Sequence, residues 1–131
     1  MTGKELKRIY YLNKELKMWQ QELDNLQCQT LAKGQQLTGM PFGTDTADKT
    51  AELATAIVET TNVINGILSN IQIERRRIIS YISNIEDPLV RQIIFLRNVS
   101  LMSWDKVAQE LGGGNTAESV RKIHERYLKE N

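Results

Sequence analysis

Apolar residues in the first two thirds of the chain recur at alternating spacings of three and four. Ile9, Leu12, Leu16, Trp19, Leu23 and Leu26 form one series; Ile57, Thr60, Ile64, Ile67, Ile71, Glu74, Ile78, Tyr81 and Ile85 form another. Such spacing is the heptad seam of a helix packed lengthwise against a second helix. It predicts helices over residues 4–33 and 46–85, the first stopped by Lys33 and Gly34, the second starting after Asp45 or Thr46. Leu6 falls one place off the first register. Residues 34–44 hold Gly39, Pro41 and Gly43, a stretch that no helix traverses, and so short a connection makes the two helices antiparallel. Over about 30 paired residues such a hairpin is roughly 45 Å long.

Two helices bury one stripe each. Tyr10, Tyr11, Leu53, Val63, Leu68 and Ile79 lie off the seam and would stay wet in a monomer, whereas a four-helix homodimer would cover them. Packing on the C-terminal third would shield only the end near Ile79.

In that last third the period shortens to that of small helices. Asp87 as N-cap and Pro88 at the first position open a helix with Leu89, Val90, Ile93, Ile94 and Leu96 on its apolar side, ending near Asn98. Ser103 then caps a helix in which Trp104, Val107, Ala108 and Leu111 share a face. Gly112 can take the left-handed conformation that ends it, and Ala108 is small enough for another helix to cross closely. Asn115 or Thr116 can cap the next helix, with Glu118 at capping-box distance from Asn115. That helix buries Ala117, Val120, Ile123 and Tyr127 and turns Glu118, Ser119, Arg121, Lys122, Glu125 and Arg126 outward. Val120 and Ile123 come into register only if Gly112, Gly113 and Gly114 lengthen the turn beyond the compact form of a helix-turn-helix. A polar, partly basic face on the second helix of such a pair suits base edges in a major groove, so double-stranded DNA is the expected partner. The same face would also serve as an ordinary solvated surface.

The fold class expected is therefore all-α: a long antiparallel helical hairpin (coiled coil) over residues 1–85, serving oligomerisation, followed by a three-helix helix-turn-helix over 86–131. Composition limits the rest. The chain has 131 residues and a formal net charge of +1, so any affinity for nucleic acid must come from a local patch. Cys28 is the lone cysteine, and no apolar run is long enough to span a bilayer, which together place the protein in the cytoplasm. His124, the single histidine, has no cysteine nearby and reads as a surface residue, so no metal site is expected. The triple glycine lacks the Lys-Ser or Lys-Thr of a nucleotide-binding loop. Asp105, Glu110 and Glu118 have basic neighbours and no apolar pocket to raise a pKa, so neither an enzyme nor a cofactor is expected. The Arg75-Arg76-Arg77 run reads as a solvated helix face, with phosphate binding the sharper alternative.

The run from Ser103 to Gly112, followed by Glu118-Ser119-Val120-Arg121-Lys122-Ile123-His124, resembles sigma factor region 4, the module that reads the upstream promoter element and touches the RNA polymerase flap. With its loop Thr38-Gly39-Met40-Pro41-Phe42-Gly43, the whole chain resembles small phage and prophage proteins of Gram-positive bacteria grouped with late-transcription regulators of the ArpU and RinA kind. The resemblance implies a phage transcriptional regulator, with RNA polymerase as a further partner. It puts the DNA-reading positions on Ala117, Glu118, Arg121 and Lys122; Thr116, Ser119 and Arg126, at the start and on the outer face of the same helix, are the further DNA-binding candidates. Glu118 can accept from a cytosine amine and Arg121 can donate twice to guanine. Ala117 stands where the module has arginine, so the family's target sequence does not carry over. Nothing before Ser83 resembles the promoter-melting regions of a complete sigma factor. Two other functions fit the same pattern: a DNA-packaging protein like a terminase small subunit, and an assembly or docking protein that binds no DNA.

Overall fold

The computed structural model describes residues 1–36 and 44–131, with side chains for 1–32 and 48–131. Among these residues all regular structure is helical: α1 (Gly3–Leu6), α2 (Arg8–Gln36), α3 (Thr44–Ser83), α4 (Pro88–Ile94) with a π-helical turn (Phe95–Val99), α5 (Trp104–Leu111) and α6 (Ala117–Glu130). None of the helices is long and apolar enough to cross a membrane, among the described residues.

The predicted stop at Lys33 and Gly34 does not occur, since α2 runs on to Gln36. A glycine inside a helix costs only about 1 kcal/mol relative to alanine and keeps its amide for the helix, so it need not break one. Gly39, Pro41 and Gly43 of the predicted loop lie outside the described residues. The second helix starts at Thr44 and ends at Ser83 instead of Ile85. Its last amides tighten, with Asn84 N donating to Tyr81 O at 3.2 Å and Ile85 N to Ile82 O at 3.0 Å.

The first predicted helix is broken at Lys7. Thr2 caps α1 in a reciprocal box, its Oγ1 accepting from Glu5 N at 3.2 Å while Glu5 Oε2 accepts from Thr2 N at 3.1 Å. The break re-phases the first turn, and Leu6, off register for one continuous helix, becomes completely buried.

The heptad series fall on shielded positions of α2 and of α3 with the turn that follows it. Ile9, Leu26, Thr60, Ile64, Ile67, Ile78 and Ile85 are buried, and the other members are half-buried. Off the seam, Tyr10, Tyr11, Val63, Leu68 and Ile79 are exposed. Leu53 is half-buried instead, because it stands four residues before Ile57 and extends the seam by one turn.

Contacts divide the chain into Lys14–Ser69 and a second unit made of Met1–Asn13 with Asn70–Asn131. The boundary expected between residues 85 and 86 is not where the packing changes. In the second unit Leu6 and Ile9 share a core with Ile78, Ile82, Ile85, Val90 and Ile94, so the chain start and the end of α3 belong with the C-terminal helices. A second cluster joins Ile93, Val107, Ala108 and Val120, with Trp104 and Leu111 against it, and Ile123 packs on both clusters.

Ile67 lies in the middle of the α3 seam with 5% of its surface exposed. Ile67→Asp should lose about 3 kcal/mol or more of unfolding free energy in a urea titration, because it leaves an uncompensated charge in an apolar seam. An unchanged midpoint would remove residue 67 from the packed face.

Candidate nucleic-acid interface

The residues expected to contact DNA lie on α6 and its cap, held by α5 and the turn between the two helices. Ser103 caps α5, its Oγ accepting from Lys106 N at 3.3 Å. Val107 and Ala108 face inward, and Gly112 N closes the helix on Ala108 O at 3.0 Å. Gly112 has φ 63° and ψ −150°, a region that is essentially glycine-only, and Gly113 and Gly114 also have positive φ. The chain needs these conformations to reverse within so few residues.

Asn115 serves the turn and not the helix: its Nδ2 donates to Gly112 O at 2.8 Å. Thr116 is the N-cap. Its Oγ1 accepts from Ser119 N at 3.1 Å, and Ser119 Oγ accepts from Thr116 N and donates to Thr116 O, both at 2.9 Å. The expected Asn115/Glu118 box is thus displaced by one residue, because the turn takes Asn115 as its fourth member. Two candidate DNA-binding residues, Thr116 and Ser119, have their hydroxyls committed to this cap. Val120 is fully buried and Glu118 exposed, the register that the lengthened turn requires. Ala117 is half-buried and Arg126 exposed.

On the outer face Arg121 is forked between two acids of its own helix. Nη2 lies 2.6 Å from Glu118 Oε1 and Nη1 2.7 Å from Glu125 Oε1, while Lys122 Nζ lies 3.8 Å from Glu118 Oε1. The hydrogen bond from Arg121, reinforced by its charge, holds the Glu118 carboxyl below the usual carboxylate range. Three bases (Arg121, Lys122, Arg126) stand against two acids (Glu118, Glu125), so the face carries a surplus of a single positive charge. Of the Arg75-Arg76-Arg77 run, Arg77 is engaged with Glu74 at 3.2 Å, and Arg8 reaches the same carboxylate at 3.5 Å.

His124 is not a surface residue. It is 9% exposed, its Nε2 lies 2.9 Å from Asn98 Oδ1, and Asn98 Nδ2 in turn donates to Leu6 O at 3.5 Å. That donation leaves Oδ1 as the acceptor, so the imidazole carries its proton on Nε2. Its ring meets Trp104 edge-on with centroids 5.1 Å apart, and the Arg97 guanidinium covers the same indole at 4.4 Å. The sequence did hold the signal. His124 stands four residues after Val120 and three before Tyr127, on the apolar stripe itself. Burial, followed by the charge of Arg97, pushes its pKa down to about 4. No group of three His, Cys, Asp or Glu side chains is arranged to hold a metal among the described residues, and Cys28 is exposed.

Comparison of the chain with protein-family models, curated proteins and solved structures gives no match.

Because the folded imidazole titrates near 4 and not near its ordinary 6.5, the unfolded chain takes up this proton first as pH falls. The stability owed to the neutral ring is whole above about pH 6.5 and drains away as pH drops toward 4. NMR titration of this lone histidine should give a midpoint near 4, and His124→Gln, which keeps a donor for Asn98, should flatten that part of the stability profile. A midpoint near 6.5 would put the ring in water.

Proposed function

We propose that this chain is a sequence-specific DNA-binding transcriptional regulator of the phage or prophage kind. In this reading residues 86–131 act as a sigma region 4-like helix-turn-helix with α6 as the reading helix, and α2 with α3 forms an antiparallel hairpin that makes a homodimer. The observation that carries it is the build of the α5–α6 pair. A short helix is fixed on its inner side by Val120 and His124, capped at its start by Thr116, and left with Arg121, Lys122 and Arg126 on its outer side.

The ion pairs suit a reader of sequence better than a general phosphate binder. A face with so small a surplus of charge gains little from counterion release, so random DNA binds weakly. At a matched site Arg121 exchanges Glu118 and Glu125 for the O6 and N7 of a guanine, and the released Glu118 can accept from a neighbouring cytosine amine. Lys122 serves a base or a phosphate. The exposed Val63 and Leu68 supply apolar surface for the dimer, and two copies of α6 would then meet a two-fold symmetric site, with RNA polymerase as a further partner.

Selection of bound sequences from random duplexes, followed by footprinting, tests the reading; a two-fold symmetric consensus is the expected result. On that site Arg121→Ala should weaken binding on the order of tenfold to a hundredfold, with little change on a scrambled duplex at the same salt. Lys129→Ala should act alike on both duplexes. Equal losses for Arg121→Ala would make it a phosphate contact, and no loss on either would remove α6 as the reading helix.

Sedimentation equilibrium at high micromolar concentration should give a dimer. A persistent monomer would overturn the oligomeric part of the proposal, and a ring of many subunits would replace regulation with DNA packaging.

A further inference from the structure

A recess of about 660 Å³ opens within the unit made of Met1–Asn13 and Asn70–Asn131, between the start of α2, the π-helical turn and α6. Its size is that of a site for a small organic molecule. Aromatic groups supply its walls: the Trp104–His124 pair on one part, and Tyr10 and Tyr11, themselves edge-to-face at 5.4 Å, on another.

Two cations join them. Arg97 lies flat on Trp104, and its one hydrogen bond among the described residues runs from Nη1 to Met102 O at 2.9 Å, which leaves most of its N–H groups for a ligand. Lys7 is exposed and has no carboxylate partner among the described residues. Both charges oppose protonation of His124 while the Glu125 carboxylate favours it, so all three are felt at the back of the recess. Glu125 is the one acid among the lining residues, and its carboxylate is already held by Arg121 at 2.7 Å. The recess is therefore lined by two cations that form no ion pair among the described residues, against one carboxylate that is already paired with Arg121.

The backbone around it is held in uncommon conformations. Ser100 N donates to Phe95 O at 3.0 Å in the wide π-helical pattern, and Leu101, a lining residue, has φ 58°, the sole positive value outside glycine among the described residues. A non-glycine residue in that region costs of order 1 kcal/mol or more, and such turns recur beside functional sites.

We infer that this recess binds a small molecule bearing an aromatic ring and one anionic group, an aryl carboxylate or sulfonate, with the ring among Trp104, Tyr10 and Tyr11 and the anion on Arg97 and Lys7. The inference does not depend on the proposed DNA-reading function, although Glu125 borders the recess and also pairs with Arg121 on that face.

The probes are 1-naphthalenesulfonate and its neutral counterpart 1-naphthalenemethanol, titrated into the full ¹⁵N-labelled chain. The sulfonate should saturate a single class of site, with shifts concentrated on the amides of Lys7, Arg97, Leu101 and His124 and on the Trp104 indole. The alcohol should bind roughly tenfold or more weakly, the difference that a charge-assisted contact makes. Lys7→Glu alters an exposed residue, so its fold is easily verified from the remaining resonances. It should cut sulfonate affinity by roughly tenfold and leave the alcohol unchanged. Arg97→Met, which keeps an unbranched stem against Trp104, should do the same. The inference fails if both probes bind equally, if Lys7→Glu has no effect, or if the shifts spread over exposed apolar residues such as Met18, Val58 and Leu68. It also fails if duplex DNA displaces the sulfonate and Lys7→Glu weakens both in proportion, because the cations would then be phosphate contacts.

Discussion

A buried carboxamide holds the C-terminal unit together. Asn98 sits in the π-helical turn, and its two polar atoms reach elements far apart in sequence: Nδ2 donates to Leu6 O at the end of α1, and Oδ1 accepts from His124 on α6. An amide sealed from water costs about 1–3 kcal/mol for each unmet hydrogen bond, so the position tolerates little rearrangement of either neighbour. Much follows from that constraint. It selects one imidazole tautomer, it fixes the rotation of α6 about its axis, and it draws the first residues of the chain into the same core as the last helix. The widened turn is part of the arrangement, for the i to i+5 pattern at Phe95–Ser100 re-aims the side chains that follow α4.

With α6 fixed in rotation, its outer face has a defined composition, and the charges there are nearly balanced. Arg121 is satisfied twice over in the free protein, by Glu118 and Glu125. Exposed pairs of this kind add little to stability. Their consequence is for selectivity: any partner that takes Arg121 must offer acceptors at least as well placed as two carboxylates one turn away on either side. A guanine edge can do so through O6 and N7, and a phosphate only by turning two of its oxygens to the fork. The pair with Arg121 also offsets part of the negative charge that Glu125 brings to the neighbouring recess. One carboxylate therefore bears on both of the sites proposed for this unit.

The elements most readable from the sequence were those set by local spacing. Every member of the two heptad series is shielded, and Asp87, Pro88 and Ser103 start their helices as their chemistry dictates, with Asp87 Oδ1 accepting from Leu89 N at 2.9 Å. What escaped depended on contacts between distant segments. Leu6 was off register until Lys7 broke the helix, and nothing before that break announces it except the Thr2/Glu5 box. The lack of a cysteine near His124 excludes a zinc site but says nothing of burial, whereas its spacing from Val120 and Tyr127 points inward; a histidine accepts burial when an amide such as Asn98 meets its nitrogen. The boundary near residue 85 followed the change of period, but packing ignores that change and groups Ile78, Ile82 and Ile85 with Val90 and Ile94. At the candidate interface the exposed residues Glu118, Lys122 and Arg126 were legible as a face, while the pairing of Arg121 and the use of Thr116 and Ser119 as a cap were visible only in three dimensions.

The two sides of α6 can therefore vary independently in principle, and to different effect. Val120 and His124 engage the core, so substitutions there act on folding and only through folding on any surface. The ion pairs of Arg121 and Lys122 stay within their own helix among the described residues, so changes there leave the core contacts of α6 in place. Thr116 and Ser119 lie between these cases. Their hydroxyls fix where α6 begins, while the contacts of Val120 and His124 fix its rotation and so the bearing of the outer residues. The glycine turn and the Thr116 cap thus set the point at which α6 starts, and the core contacts on its inner side set the bearing of Arg121, although none of them needs to touch what Arg121 binds.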